Sequence, residues 1–591
     1  MATPNFDIDK WLTGLLKPSL AGEMVSEENR SLGGGIALLS ADTDRTQAFV
    51  FESPRLTEIR GASMLLDELN TKGLPKLLTN HGLPAALIPD GCLVYVGGGS
   101  LMALVPGDLA PALVEDIEAL YPQRTDTATI TAVARIVDPQ EIGPPKQGRE
   151  SSPDLAALRK KLGEKGWSRI LQAHDLDPKA SLNPSEIADA RIRRLMANQA
   201  LALKQRKKAK ELAPLIEAIP YARRCRSCGR RPVTNFLTGI EGEEPRPLCR
   251  VCYRHAKEGI DGRSDWLRQF AEAKQVKIDP VNDLSDIGAK SKARSGYVGF
   301  IYADGDSLGR YLESASSLNA YSQMSQQIAG AMRQATFDAL YEHLGENGTC
   351  RPFEIITIGG DDALLIVPGD AALPVALSIS RAFARILANG RKKTPTMSAG
   401  VVIAHDSNPV YFLREMAYKL LRSAKKGKAQ KGQGCIDFLV LKSQSVMATD
   451  VKDVRSAPAL YIEDEESAEI TLLTGLPYTL DEIDQLLQSV RTLKNVTFSP
   501  GQLHALRRNL RQGRLAGLIY YLYQRTRMKT DARTALAEVE KIWGMDMDNE
   551  VPPWRVCPPD PPFQVFDTPF LDILEVREFV LKKEDAVASK D

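Results

Sequence analysis

Short apolar runs broken by glycine-rich and acidic turns dominate the pattern of the chain. Ile355 to Pro368 reads IITIGGDDALLIVP, which predicts two buried strands joined by a Gly-Gly-Asp-Asp turn with two carboxylates at its tip. Tyr297 to Asp306, YVGFIYADGD, predicts a further apolar strand that ends in acids. Around these, the periodicity predicts a helix over Ser307 to Glu313, continued near Gln323 to Leu344, then helices over Ala372 to Asn389 and Pro409 to Ala424. Strands are expected over Met397 to Ala404 and Ile436 to Leu439. The alternation describes an α/β (α+β) domain, a sheet with covering helices.

The chain also contains a blunted copy of this pattern. Val96 to Asp108 (VGGGSLMALVPGD) aligns with Ile358 to Asp370 (IGGDDALLIVPGD), and Gly99 and Ser100 fall where Asp361 and Asp362 stand. Ile36 to Asp44 (IALLSADTD) matches Val298 to Asp306 with both acids kept, and about sixty residues separate strand from hairpin in each copy. A repeat this long marks two related domains. One copy reads as catalytic, and the other has lost the hairpin acids.

Five segments follow. Residues 1–30 are a short N-terminal segment, 31–143 the first repeat, and 154–290 a helical domain that includes a cysteine module at 221–256. Residues 296–441 are the second repeat and 446–591 a mainly helical C-terminal domain. Gly143 to Pro153 reads as a linker and Asp279 to Ser295 as irregular, while Ala505 to Tyr523 mixes apolar positions with arginines and the Pro-rich Val551 to Phe563 breaks any helix.

At 591 residues the chain has room for roughly three to five domains. No apolar run approaches the roughly 20 residues that cross a bilayer, and the N-terminus lacks the basic start and apolar core of a signal peptide, so a cytoplasmic protein without a membrane partner is expected. Net charge is +1, so only its distribution is informative: basic residues cluster in Arg191–Lys210, Arg223–Arg231, Lys419–Lys431 and Arg507–Arg527. These are solvated helix faces or contacts to a nucleic-acid backbone. Of eight cysteines, Cys225, Cys228, Cys249 and Cys252 form two Cys-x2-Cys knuckles separated by 20 residues, the spacing of a tetrahedral structural Zn²⁺ site. Arg223, Arg224, Arg226, Arg230 and Arg231 crowd the first knuckle and would favour thiolates. His255 lies close by, but four Cys already fill the metal's positions. His174-Asp175 lacks the second His and Asp that a metal-dependent phosphohydrolase would need, and reads as chance.

The acids suit nucleotidyl transfer. Attack of a ribose hydroxyl on an α-phosphate uses two hard divalent ions, Mg²⁺ or Mn²⁺, held by a few carboxylates and completed by substrate phosphates. Asp304, Asp361 and Asp362 fit that role. Gly305 breaks the strand and lets Asp306 or its backbone carbonyl assist; Gly359 and Gly360 permit a tight turn against substrate; Ser307, Leu308 and Gly309 open a helix whose N–H groups can cradle a triphosphate. Lys425 and Lys426, just past a helix, could reach that triphosphate. Taken alone, Gly-Gly-Asp-Asp is also ordinary hairpin composition. The second acidic strand end in the same domain tips the balance towards a metal site.

With these features in order, the chain resembles the Cas-ten family, the large subunit of type III CRISPR effector complexes, in its Cmr-type branch. Ser53 to Leu66 (SPRLTEIRGASMLL) is similar to that family as well, and places Ser63 among the expected nucleotide contacts. The resemblance implies two ferredoxin-like palm (cyclase-like) domains, a zinc module between them and a helical C-terminal domain. It implies guide crRNA, target RNA and other type III subunits as partners, with ATP converted to a cyclic oligoadenylate messenger by the second palm. The first palm would present an acceptor nucleotide. Many members begin with an HD nuclease domain; about 30 residues precede the first palm strand here, so no DNase activity is expected. The alternatives are a free-standing diguanylate-type cyclase, disfavoured by the turn sequence and the duplicated palm, and a non-catalytic RNA-binding scaffold.

Overall fold

In the computed structural model, the described residues are 35–88, 90–137, 184–210, 221–238, 244–261, 265–279, 281–315, 317–388, 395–442, 451, 455, 459–462, 468–496, 500–545, 552–557 and 563–582. The expected N-terminal segment, the Gly143–Pro153 linker, His174-Asp175 and the start of the expected 154–290 domain lie outside them. Two compact units interleave along the sequence, one of residues 1–46, 66–215 and 309–327, the other of 47–65, 216–308 and 328–591.

The first unit holds a four-stranded sheet. Strand β1 (Ile36–Asp44) is followed by helices α1 (Leu56–Glu68) and α2 (Leu74–Asn80), the hairpin β2 (Leu93–Gly97) and β3 (Ser100–Pro106), helix α3 (Ala110–Thr125) and strand β4 (Thr129–Val137). The order β2-β3-β1-β4 is antiparallel throughout, the βαββαβ arrangement of a ferredoxin-like domain. Helix α4 (Pro184–Ala209) packs on β1 and β4, and its Gln199 donates to the Leu38 carbonyl at 2.9 Å.

In the second unit, β5 (Asn235–Leu237) and β6 (Arg246–Leu248) pair beside helix α5 (Arg250–Asp261). The second palm then runs β7 (Tyr297–Asp306), α6 (Leu308–Leu312), α7 (Leu318–Leu344), β8 (Glu354–Ile358), β9 (Asp362–Pro368), α8 (Ala372–Ala388), β10 (Thr396–His405), α9 (Val410–Lys431) and β11 (Cys435–Leu441), although residues 309–327, in α6 and α7, group with the first unit. Its sheet order β8-β9-β7-β10 repeats that of the first unit, then adds β11. The repeat extends to a defect in pairing. A β-bulge interrupts the register between Leu93 and Tyr95 and again between Ile355 and Thr357, at matching places in the alignment.

Beyond β11 the structure is more mixed than a helical domain. Strands β12 (Ala459–Ile462) and β13 (Ala468–Leu472) lead to β14 (Tyr478–Thr479), which extends the palm sheet. Four helices follow: α10 (Leu480–Lys494), α11 (Pro500–Leu510), α12 (Arg514–Arg527) and α13 (Thr530–Ile542). Strands β15 (Arg555–Val556) and β16 (Phe563–Asp567) complete a sheet β12-β13-β16-β15. Periodicity missed this sheet because its strands are short and far apart in sequence. Helix α10 starts at a capping box, Thr479 with Glu482. The stretch from Ala505 to Tyr523, which mixes apolar positions with arginines, spans two helices, separated at Gly513 with φ +110°.

Among the described residues, one helix is long and apolar enough to cross a membrane, Gly369–Ala388 with mean hydropathy 1.4. Its residues Val375, Ile379 and Phe383 are buried in the second unit.

Residues 47–65, which include most of α1 and group with the second unit, are tied in by buried polar bonds. Arg60 Nε and Nη2 donate to the two Glu354 carboxylate oxygens at 2.9 and 2.5 Å, and its guanidinium also donates to the carbonyls of Gly259 and Val281 at 3.2 and 2.7 Å. Glu354 is fully buried and Arg60 nearly so. Removing one partner of such a pair strands the other charge, so Arg60→Ala is expected to cost about 3–5 kcal/mol. Urea unfolding of parent and variant measures this; a loss near that of an exposed ion pair would show that the contact is dispensable.

Candidate active site and zinc module

Tyr302, Asp304 and Asp306 alternate along β7, so their side chains share one face of the sheet. In the antiparallel register Asp304 stands directly opposite Asp362. Backbone bonds clamp the turn: Gly305 N–H donates to the Asp361 carbonyl at 2.9 Å, and Gly359 N–H to the Asp362 carbonyl at 2.8 Å. Thus Asp304, Asp361 and Asp362 meet at one end of the sheet. Gly359 is required by close approach, since a Cβ there would lie 2.2 Å from Asp362 Oδ1. At Gly360 a Cβ would meet nothing within 4 Å, so the turn itself leaves that space open.

The three carboxylates resist ionising together. Burial, then repulsion from Asp361 and Asp304, pushes Asp362 up to about 7, against a weak bond from the Tyr302 hydroxyl at 3.4 Å. Burial raises Asp304 to about 6 although Lys425 Nζ sits 2.9 Å from its Oδ1. Burial raises Asp361 too, again opposed by Lys425. Bound Mg²⁺ or Mn²⁺ would relieve this repulsion with the oxygen ligands that hard cations prefer. Among the described residues only the four cysteines form a group of three or more such side chains with ligand atoms within 4.8 Å of one another; the carboxylates are not gathered so tightly, and Lys425 holds one of them.

The other expected contacts divide. Asp306 is buried, and its Oδ2 accepts from the Thr396 and Ser398 hydroxyls, both at 2.9 Å. Its carboxylate is therefore structural, and only its backbone could assist a nucleotide. Gly305 does not break the strand, since it pairs with Met397 and β7 runs on to Asp306; it is packed over the buried Leu308, whereas Gly309 borders open space. Ser307 has φ +59° and begins a helix of only five residues. Lys425 lies within α9 rather than past it, because that helix continues to Lys431 and ends at Gly432 with φ +74°. From there it reaches Asp304 and the Gly305 carbonyl at 3.3 Å, while Lys426 is exposed. Lys428, one turn on, donates to the Ser307 hydroxyl at 2.8 Å. Sequence reading passed over Lys428 and Tyr302, although helical spacing from Lys425 and strand alternation from Asp304 both point to them. Ser63 is drawn into the fold: its hydroxyl donates at 2.5 Å to the carbonyl of Ile356, the bulged residue of β8.

The first palm keeps the scaffold and satisfies its acids internally. Asp44, the counterpart of Asp306, accepts from the Thr129 and Thr131 hydroxyls. Burial pushes Asp44 up, but those hydroxyls with Lys207 and Lys210 outweigh it and hold it below the ordinary carboxylate range. Asp42, the counterpart of Asp304, accepts from the Ser100 hydroxyl at 2.7 Å and from Lys207 at 2.6 Å.

The four cysteines of the knuckles are free thiols, and Cys228 Sγ lies 3.8 Å from Cys249 Sγ. A tetrahedron with arms of about 2.3 Å has edges of about 3.8 Å, so the cluster fits a structural Zn²⁺. The neighbouring arginines serve partly elsewhere than expected. Arg231 Nη2 is 2.8 Å from the buried Glu52, and Arg246 is 3.4 Å from the buried Glu58. His255 is buried against Phe49, with ring centroids 4.8 Å apart.

Residues 297–434 match the family model described as Cas10/Cmr2, second palm domain. That match covers residues 297–434 of 591, so it is the second palm that is similar to this family. It is 37% identical over 86 residues to the CRISPR system Cmr subunit Cmr2 of Pyrococcus furiosus, a stretch covering 14% of this chain and 10% of that protein. Csm1 of T. onnurineus has a similar fold, with TM-score 0.50 and 14% identity over 93% of this chain and 70% of that one. A Csm1-Csm4 cassette solved in complex with cA4 gives TM-score 0.50 at 13% identity, with the same coverage. The residues at the Cas10/Cmr2 match include every acid of the second hairpin.

The raised carboxylates give a pH signature. In Mg²⁺-free buffer the unfolded chain ionises Asp362 near its ordinary 3.8, while the folded protein keeps the proton to about 7. Stability from this group is therefore full at the acid end and lost as pH rises across that window. Asp362→Asn is expected to melt several degrees above the parent at pH 8 and level with it at pH 4. Equal melting temperatures at both pH values would contradict the assignment.

Proposed function

We propose that this chain is the large subunit of a type III CRISPR effector complex, and that its second palm joins adenylates from ATP into a cyclic oligoadenylate or a related messenger. Target RNA paired with the guide crRNA is the activating partner in this reading. The observation that carries it is the register of Asp304 against Asp362, with Asp361 clamped beside them. The match of residues 297–434 to the Cas10/Cmr2 second palm domain supports it.

Asp304, Asp361 and Asp362 would hold Mg²⁺ or Mn²⁺, which when bound acidifies the attacking ribose hydroxyl and stabilises the pyrophosphate that leaves. Lys425 has two partners at this sheet end, Asp304 and the Gly305 carbonyl, and is placed to exchange them for triphosphate oxygens. Lys428 steadies Ser307 at the start of the phosphate-facing loop. The four-Cys module would hold Zn²⁺ structurally.

The reading is tested by giving the assembled complex ATP, Mg²⁺ and target RNA, with products identified by mass spectrometry. Replacing Asp361 and Asp362 together by Ala is expected to cut adenylate products by about a hundredfold or more. Undiminished synthesis would remove these acids from the reaction, and a preference for GTP over ATP would favour the diguanylate-type cyclase.

The C-terminal helices are proposed as the face that meets helical partner subunits. On α12, Leu515, Ile519 and Tyr523 are 69%, 60% and 48% exposed, one turn apart on a single stripe. Leu515→Glu with Ile519→Glu is expected to block complex assembly while leaving the subunit's melting temperature unchanged. Intact assembly would place the interface elsewhere.

A further inference from the structure

Helix α9 presents more than lysine to the site. Arg414, Tyr418 and Lys425 are spaced by four and seven residues, so they lie on one face. That face is held close to the sheet: a Cβ at Gly400 would lie 2.1 Å from the Ala417 carbonyl, and any larger residue would push the helix away. Lys425 stands two turns beyond Tyr418, about 10.5 Å along the axis.

The Tyr418 ring lies 6.1 Å from the ring of Tyr302, whose hydroxyl faces Asp362. Tyr302 is core, 7% exposed, but Tyr418 keeps 38% of its surface in solvent. The Arg414 guanidinium is 5.7 Å from the Tyr418 ring centre and 5.6 Å from that of Phe51. Its Nη1 is 3.3 Å from Glu415, yet its Nε is buried with no hydrogen-bond partner. A solvated surface tyrosine accounts for the exposure of Tyr418. It leaves the buried Arg414 donor unexplained, and such donors are costly unless something accepts from them.

We propose that Tyr418 is the surface on which the base of the bound nucleoside triphosphate stacks, with Arg414 Nε donating to an acceptor on that base. This rests on the reading that the triphosphate lies between the acidic turn and Lys425. The two helical turns from Tyr418 to Lys425 match the reach from base to distal phosphates in an extended nucleoside triphosphate. Arg414, fixed between two aromatic rings, sets the plane of the stack. Tyr418 is thus a binding residue that selects an aromatic base, with no part in the proton or metal chemistry.

The full chain, in Mg²⁺ buffer, is titrated calorimetrically with a non-hydrolysable ATP analogue and, separately, with inorganic triphosphate. Tyr418→Ala is expected to weaken the analogue about tenfold or more while leaving inorganic triphosphate unchanged. Tyr418→Phe should restore the analogue, since the ring and not the hydroxyl is used. Unchanged analogue binding by Tyr418→Ala overturns the proposal and leaves the phosphate reading intact, as does equal loss of both ligands in a variant that melts like the parent. A parent that binds neither ligand overturns both readings.

Discussion

The buried pair of Arg60 and Glu354 is the contact on which the second unit turns. One guanidinium satisfies both oxygens of a fully buried carboxylate and two carbonyls, from the end of α5 and from Val281. Glu354 opens β8, the strand that runs into the acidic turn. Three residues further along α1, Ser63 satisfies the carbonyl that the bulge at Ile356 leaves outside the ladder. The helix thereby fixes the strand at its start and at its defect. Desolvating a charge pair is expensive, so the arrangement persists only because nearly every donor and acceptor in it is matched. Glu52 and Glu58 extend the same logic, binding arginines that flank the cysteine knuckles.

At the other end of β8 the electrostatics reverse. There the sheet register forces carboxylates together, and Lys425 compensates them only in part. Asp44 and Asp306 are held by hydroxyls of the neighbouring strand, whereas burial raises Asp304, Asp361 and Asp362, with repulsion between the acids adding to it at Asp304 and Asp362. A bound cation would relieve such a cluster, and the space at Gly360 leaves room beside it. The two palms make the distinction clear. Asp44 and Asp306 are each held by two hydroxyls from the next strand, so that position is scaffold in both copies. Asp42 has a serine opposite and a lysine on it, while Asp304 has an aspartate opposite. With Gly99 and Ser100 where the second hairpin has Asp361 and Asp362, the first hairpin satisfies its own acid through the Ser100 hydroxyl.

Much of this was legible in the chain. The long second-palm strands announce themselves because continuous apolar runs between glycines and acids have few other solutions, and the repeat exposes the first palm through its likeness to the second. The knuckle spacing gives the cysteine cluster for the same reason: short-range geometry is encoded in short-range sequence. The roles of Ser63, Asp306 and the knuckle arginines were not legible. Each is decided by a partner far away in sequence, at Ile356, at Thr396 and Ser398, or at Glu52. The C-terminal sheet was hidden likewise, since β13 and β16 are about 90 residues apart and neither is long enough to carry a pattern.

By itself, then, the sequence determined which residues could do chemistry: the paired acids, the glycines that let them approach, and the four thiols. Tertiary structure decided which of those residues remain available. Hydrogen bonds and ion pairs from distant elements consumed Asp42, Asp44, Asp306 and Ser63, and left Asp304, Asp361 and Asp362 facing one another beneath Lys425. It also decided that α9 runs on past Lys425, bringing Lys425 onto the same face as Tyr418, because the close approach at Gly400 and the cap at Gly432 set where that helix lies and where it stops.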